Sequence, residues 1–114
     1  VFTKIFGKEP YKSEKVDSEG VVTSFFQLGE SKIELVAAIN EDNPITKYLS
    51  NNKEGIHHIA FSVKDIQQEM ERLKRQGFRF LNESPKKGAD NKLICFLHPR
   101  DTNGVLIELC EEIK

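Results

Sequence analysis

Tryptophan is absent from the 114-residue chain, cysteine occurs twice and proline four times. No apolar run approaches the ~20 residues of a membrane-spanning helix. No stretch reads as a charged-then-apolar leader either, so the expected location is cytoplasmic, or the mitochondrial matrix in a eukaryote. Cys95 and Cys110 lack metal-type spacing; reduced thiols are the expectation, although two cysteines can pair. The Asn82-Glu83-Ser84 triplet then carries no glycan. Charge of one sign is also missing, since 17 Lys and Arg nearly cancel 18 Asp and Glu with no basic or acidic block. That balance argues against a nucleic-acid binder or a disordered tail, and leaves neither nucleic acid nor membrane as an expected partner. The length is that of one domain, residues 1–114, able to bury a core without staples.

What the chain does have is the stretch 55–63, Gly-Ile-His-His-Ile-Ala-Phe-Ser-Val. As a strand it alternates faces, sending His57, Ile59, Phe61 and Val63 one way and His58, Ala60 and Ser62 the other. The first set is bulky and is expected in the core. The second joins an imidazole to two small side chains, as the wall of a concavity would; a hydrogen-bonded structural histidine is the alternative.

Around that stretch the elements follow a pattern. Residues 1–6 end at Gly7 like the last turns of a helix that has no start. Strands are expected at 11–16, 21–28 and 32–37, with turns at 18–20 and 29–30. Asn43 and Pro44 open a short helix whose buried side is Ile45, Tyr48 and Leu49. Asp65 and Gln68 open a second helix, Ile66, Met70 and Leu73 recur at its spacing, and Gly77 closes it. Strands at 78–82, 93–97 and 105–110 complete the chain, with a polar loop at 84–91 and an Asn103-Gly104 turn.

Ile-Glu-Leu occurs at 33–35 and again at 107–109, 74 residues on, and the helix-closing glycines Gly7 and Gly77 lie 70 apart. The two offsets point to a duplicated unit whose first copy lacks its opening strand. Residues 1–40 form that incomplete copy, 41–54 a connector and 55–114 the second copy. Glu34 and Glu108 each sit between Ile and Leu on an apolar strand, where a carboxylate costs several kcal/mol unless paired or bound to a cation. A structural salt bridge is one reading of each. Two such acids at equivalent positions, with His58, favour convergence on one site of mixed N/O donors suited to a divalent metal.

Three motifs carry a resemblance: Leu-Gly-x-x-Lys-Ile-Glu-Leu at 28–35, Gly-Ile-His-His-Ile at 55–59, and Phe-Leu-His-Pro at 96–99 followed by Gly-Val-Leu-Ile-Glu-Leu at 104–109. With these the chain resembles the methylmalonyl-CoA epimerases of the vicinal oxygen chelate, or glyoxalase-like, superfamily. The resemblance is close over 28–61 and 85–111. It implies an α+β fold of paired βαβββ modules around a metal, usually in a homodimer, with an acyl-CoA thioester as partner. It also implies that His58, Glu34 and Glu108 bind the metal, with Co2+ first and Mn2+, Zn2+, Ni2+ or Mg2+ as alternatives. A further His ligand belongs to the first strand and has no counterpart here.

The implied reaction interconverts (2R)- and (2S)-methylmalonyl-CoA by moving the C2 proton through an enediolate. Glu108 is the first candidate proton carrier and Glu34 the second. Some relatives carry an acid where this chain has Thr23, a hydroxyl that cannot act as a base near neutral pH. Gly88-Ala89-Asp90-Asn91-Lys92 departs from the family's Gly-Ala-His-Gly-Lys. Lys92 and His98 are candidate substrate contacts, and Lys86, Lys87 and Arg100 could also meet the CoA phosphates. Two rivals share the fold: a lactoylglutathione lyase acting on a hemithioacetal, and a non-catalytic small-molecule binder.

A repeat short of one strand yields the first prediction. The 114-residue polypeptide should bind metal weakly and turn over slowly. A chain extended by an apolar strand, with a His about 12 to 16 residues before Val1, should gain in both. Metal titration and turnover of the two lengths check this, and equal, tight affinity with equal turnover counts against it.

Overall fold

Two units, Val1–Glu54 and Gly55–Lys114, make up the chain in the computed structural model, which describes all 114 residues. In the first, helix α1 (Phe2–Phe6) closes on Gly7, whose left-handed backbone (φ 69°) lets its N–H reach the Thr3 carbonyl. Strands β1 (Lys12–Val16), β2 (Val21–Leu28) and β3 (Ser31–Ala38) form an antiparallel sheet in that order. Phe6 meets Phe26 of β2 edge-on with centroids 5.2 Å apart, and Phe26 is 1% exposed. Val21, Thr23 and Phe25 are buried on the opposite face of the same strand. Phe25 stands opposite Glu34, and Thr23 opposite both Val36 and Glu14, so Glu14, Thr23 and Glu34 share that face.

A polar knot closes this unit. Asn43 caps helix α2 (Pro44–Asn51) by accepting from Thr46 N at 2.9 Å, and its amide donates to the Asn40 carbonyl at 2.7 Å. Gly20 (φ 66°) lies against both asparagines, and a side chain there would come within 3.2 Å of Asn43 Cβ. Of the three residues expected on the buried side of α2, Ile45 and Tyr48 are half-buried but Leu49 is exposed.

The second unit runs β4 (Ile59–Ser62), α3 (Ile66–Arg75), β5 (Lys86–Lys87), β6 (Lys92–Phe96) and β7 (Ile107–Glu112). Its sheet order is β4-β7-β6-β5, with β4 parallel to β7 and the other pairs antiparallel. Asp65 caps α3 by accepting from Gln68 N at 3.1 Å, and Glu111 of β7 accepts from Ile66 N at 2.7 Å. Helix and sheet enclose a core of Ile66, Met70, Cys95, Leu97 and Leu109, with Val63, Leu73, Phe78 and Phe80 packed against it. Each fully buried side chain of this kind is worth about 1.5–3 kcal/mol. No helix of the chain is long and apolar enough to cross a membrane.

Two expectations need correction. The stretch 55–63 forms a strand only at Ile59–Ser62, and all four residues are exposed, Ile59 by 46% and Phe61 by 53%. β4 is an edge strand, and α3 packs over Leu109 of β7 and Cys95 of β6 instead, so Val63 alone of the expected face joins the core. A strand at 78–82 is likewise not formed: Phe80 makes one isolated bridge to Leu97, and the short strand falls at Lys86–Lys87, within the expected loop. The Asn82 side chain is the reason, because its Oδ1 accepts from Phe96 N at 2.8 Å and takes the place of a strand carbonyl.

Two stability predictions follow from this packing. Met70 is 0% exposed, so Met70→Ala should lower unfolding free energy by about 2–5 kcal/mol in urea titrations. Arg79 holds Asp101 through two side-chain bonds, of 2.9 and 3.1 Å, and through its backbone N–H at 2.9 Å. Those bonds draw the Asp101 carboxyl down from the ordinary 3.8 to about 2. A lowered folded-state pKa adds stability above the unfolded value and loses it as pH falls through the folded one. Asp101→Asn should therefore destabilise at pH 7, and the gap to wild type should close between about pH 4 and pH 2.

Candidate active site

Glu108 lies on β7 between two neighbours, Ala60 of β4 and Phe96 of β6, and all three face the same side of the sheet. His58 stands one residue ahead of the β4 ladder, which starts where Ile59 N donates to the Leu106 carbonyl at 3.0 Å. The methyl of Ala60 leaves the space beside Glu108 open, and the imidazole of His58 takes it. His58 Nε2 lies 3.6 Å from Glu108 Oε1, with the two side chains 15% and 13% exposed. Edge-on packing against Phe96, with centroids 6.0 Å apart, supports the His58 ring.

His57 sits at the same place. Its Nδ1 is 2.9 Å from His58 Nδ1, and the rings are nearly perpendicular at 87°. Strand alternation had assigned His57 to the opposite face. That rule holds only within the ladder, and residues 57 and 58 precede it. The signal available in the sequence was the Gly-Ile-His-His string itself, since a glycine two residues upstream frees the backbone from strict extension.

Burial sets the electrostatics. It lowers the pKa of His57, and it lowers that of His58 with added repulsion from His57, so both imidazoles favour the neutral, ligand-competent form. Burial, reinforced by the Glu108 charge, pushes the Cys95 thiol up to about 11.

A separation of 3.6 Å is too long for a hydrogen bond but close to the edge of a coordination tetrahedron, about 3.4 Å for bonds of roughly 2.1 Å. One neutral imidazole and one carboxylate, both mostly covered, therefore fit a divalent cation. No cluster of three or more His, Cys, Asp or Glu donors forms within either unit. The structure thus brings His58 and Glu108 together. Glu34 is half-buried on β3 of the other unit, beside Thr23, which is 2% exposed and whose hydroxyl donates to the Glu14 carbonyl at 3.4 Å.

The remaining candidates divide. Lys92, Ile94 and Phe96 alternate onto the Glu108 face of β6, and Lys86, opposite Ile94, joins them. Lys87 points to the other face. His98 caps the turn Pro99–Asp101, its Nδ1 accepting from Arg100 N at 3.2 Å, and this gives it a structural role.

Residues 1–96 match the family model of the Glyoxalase/Bleomycin resistance protein/Dioxygenase superfamily. An ethylmalonyl-CoA/methylmalonyl-CoA epimerase of Cereibacter sphaeroides is 40% identical over 110 residues, covering 95% of this chain and 82% of the relative. The crystal structure of the Mycobacterium tuberculosis methylmalonyl-CoA epimerase superposes with a TM-score of 0.91 at 32% identity, over 99% of this chain and 77% of that one. A methylmalonyl-CoA epimerase in complex with methylmalonyl-CoA and NH4+ does so at 0.91 and 30%, over 97% and 81%.

Proposed function

Because this chain belongs to the glyoxalase/bleomycin resistance protein/dioxygenase superfamily, and within it to the methylmalonyl-CoA epimerases, we propose that it inverts C2 of methylmalonyl-CoA with Glu108 as a proton carrier. The observation that carries the reading is the His58–Glu108 pair, a neutral imidazole and a carboxylate 3.6 Å apart on one sheet face. His58 through Nε2, Glu108 and, by its position in the family motif, Glu34 would hold a divalent cation, Co2+ first. When bound, the cation supplies Lewis-acid withdrawal of charge from the thioester and carboxylate oxygens of the substrate. The NH4+ in the substrate complex of a related epimerase supports a cation-accepting site.

Glu108 accepts the C2 proton on one face of the substrate carbon and delivers it on the return. Inversion requires a second carrier on the opposite face, and Glu34 takes that role, since the Thr23 hydroxyl holds its proton too tightly to act as a base near pH 7. Phe96 and Ala60 wall the pair with apolar surface, which keeps water from competing for the proton. Lys86 and Lys92 lie on the same face, further along the sheet, and meet the CoA phosphates as point charges. Residues 55–114, running β4, α3, β5, β6 and β7, stand in this reading as one βαβββ module. A homodimer and a cytoplasmic location, or the mitochondrial matrix in a eukaryote, belong to the same proposal.

Exchange of the C2 hydrogen of methylmalonyl-CoA with deuterated water tests the reading, with a glutathione hemithioacetal as the control that gives no turnover. Glu108→Gln should cut epimerisation about 10²–10⁴-fold even with metal retained, because an amide can ligate but cannot carry the proton. Thr23→Val should stay near wild type. Wild-type turnover by metal-loaded Glu108→Gln protein removes Glu108 from the mechanism.

A further inference from the structure

Phe96 stands beside both His58 and Glu108, and its own backbone is held from an unexpected side. Leu97 turns its N–H toward β7, donating to the Ile107 carbonyl at 2.9 Å, so Phe96, one residue earlier, turns its N–H and carbonyl away from β7. That makes Phe96 and Glu108 a non-hydrogen-bonded cross-strand pair, the kind in which facing side chains come closest. On the far side, Leu81 N donates to the Phe96 carbonyl at 2.8 Å, and His98 N to the Arg79 carbonyl at 2.8 Å. An unbroken ladder would complete this with the Leu81 carbonyl accepting from Phe96 N. The Asn82 side chain takes that bond instead, its Oδ1 accepting from Phe96 N at 2.8 Å.

We infer that Asn82 is a positioning residue for this site: by holding the Phe96 N–H it fixes the ring that packs edge-on against His58 and stands opposite Glu108. The exchange of a main-chain for a side-chain acceptor has a geometric consequence. With the Leu81 carbonyl released from the ladder, the chain turns away from β6 and returns to it only at Lys86–Lys87. The half-buried N–H of Phe96 would be left unpaired by that departure, a costly state, and the Asn82 amide oxygen prevents it. A Phe96 backbone free to seek another acceptor would carry its ring along, and that ring borders both His58 and Glu108. The inference rests on the reading of Glu108 as a proton carrier, but the position of the ring can be measured without turnover.

N82L removes the acceptor, and N82D keeps one at the same place. In N82L, kcat for methylmalonyl-CoA should fall about ten- to a hundredfold, the cost of a displacement of about 1 Å among reacting groups, while KM stays within about twofold. N82D should stay near wild type in both. The NMR shifts of the His58 ring protons, which the Phe96 ring current sets, should move in N82L and hold in N82D. M70A loosens the core on the other face of the sheet; as the control for general destabilisation it should keep its kcat well below its melting temperature. Unchanged kcat and His58 shifts in N82L overturn the inference, as does an equal loss of kcat in M70A. A rise in KM alone also overturns it, since Asn82 would then act on Lys86 and not on Phe96. Should N82L fail to fold, N82A takes its place with the same expectations. His58 shifts that move in N82L and hold in N82D, in protein that does not epimerise, support the clamp and defeat the proton-carrier reading. Wild-type epimerisation with an indifferent N82L does the reverse.

Discussion

The parallel pairing of Ile59–Ser62 with Ile107–Glu112 is the constraint on which the second unit depends. Parallel neighbours cannot be joined by a tight turn, so the chain must leave the sheet and return, and α3 is the body of that excursion. The helix then has somewhere to go: its apolar stripe, Ile66 and Met70, covers Cys95 and Leu109 on one face of the sheet. The other face is left without a helix. There the same register sets Glu108 beside Ala60 and places His58 at the end of the ladder. Core and site are thus two sides of one pairing, and a slip of one residue in β7 would exchange Glu108 for Leu109 and dismantle both.

The site works by sheltering its donors from water. A carboxylate and an imidazole covered to this degree are poorly hydrated, and burial alone shifts the imidazoles toward neutrality. Had His58 and Glu108 closed into an ion pair, each would have neutralised the other and neither would remain a strong donor toward a third charge. At 3.6 Å they stay electrostatically aware of each other without closing a bond. A cation is what such a gap favours.

Much of this was legible in the chain, for identifiable reasons. The capped helices at Asn43-Pro44 and Asp65 could be read because the cap is a local side-chain bond that needs no tertiary partner. Strand β2 lies where its β-branched and aromatic run begins and ends. The repeated Ile-Glu-Leu led to Glu108 because an acid among aliphatic residues is conspicuous in any fold. What escaped depended on distant partners. Asn82 occupies a strand position through a bond to Phe96, and Ile59 and Phe61 are apolar yet half-exposed because β4 has a neighbour on one side only. His57 was misplaced by a rule of alternation applied one residue beyond the ladder that enforces it.

Cys95 gives this architecture a built-in clock. Its thiol has no exposed surface and a pKa near 11, so in the folded protein it is both unreachable and almost wholly protonated. Alkylating reagents can attack it only while the α3 core is open, and with reagent in excess the labelling rate becomes the opening rate itself. Cys110 is half-buried on the opposite face of the sheet, close to the Phe61 carbonyl at 3.6 Å, and reports local breathing at the β4 edge. Two thiols on opposite faces of one sheet thereby separate global unfolding from fraying within a single reaction.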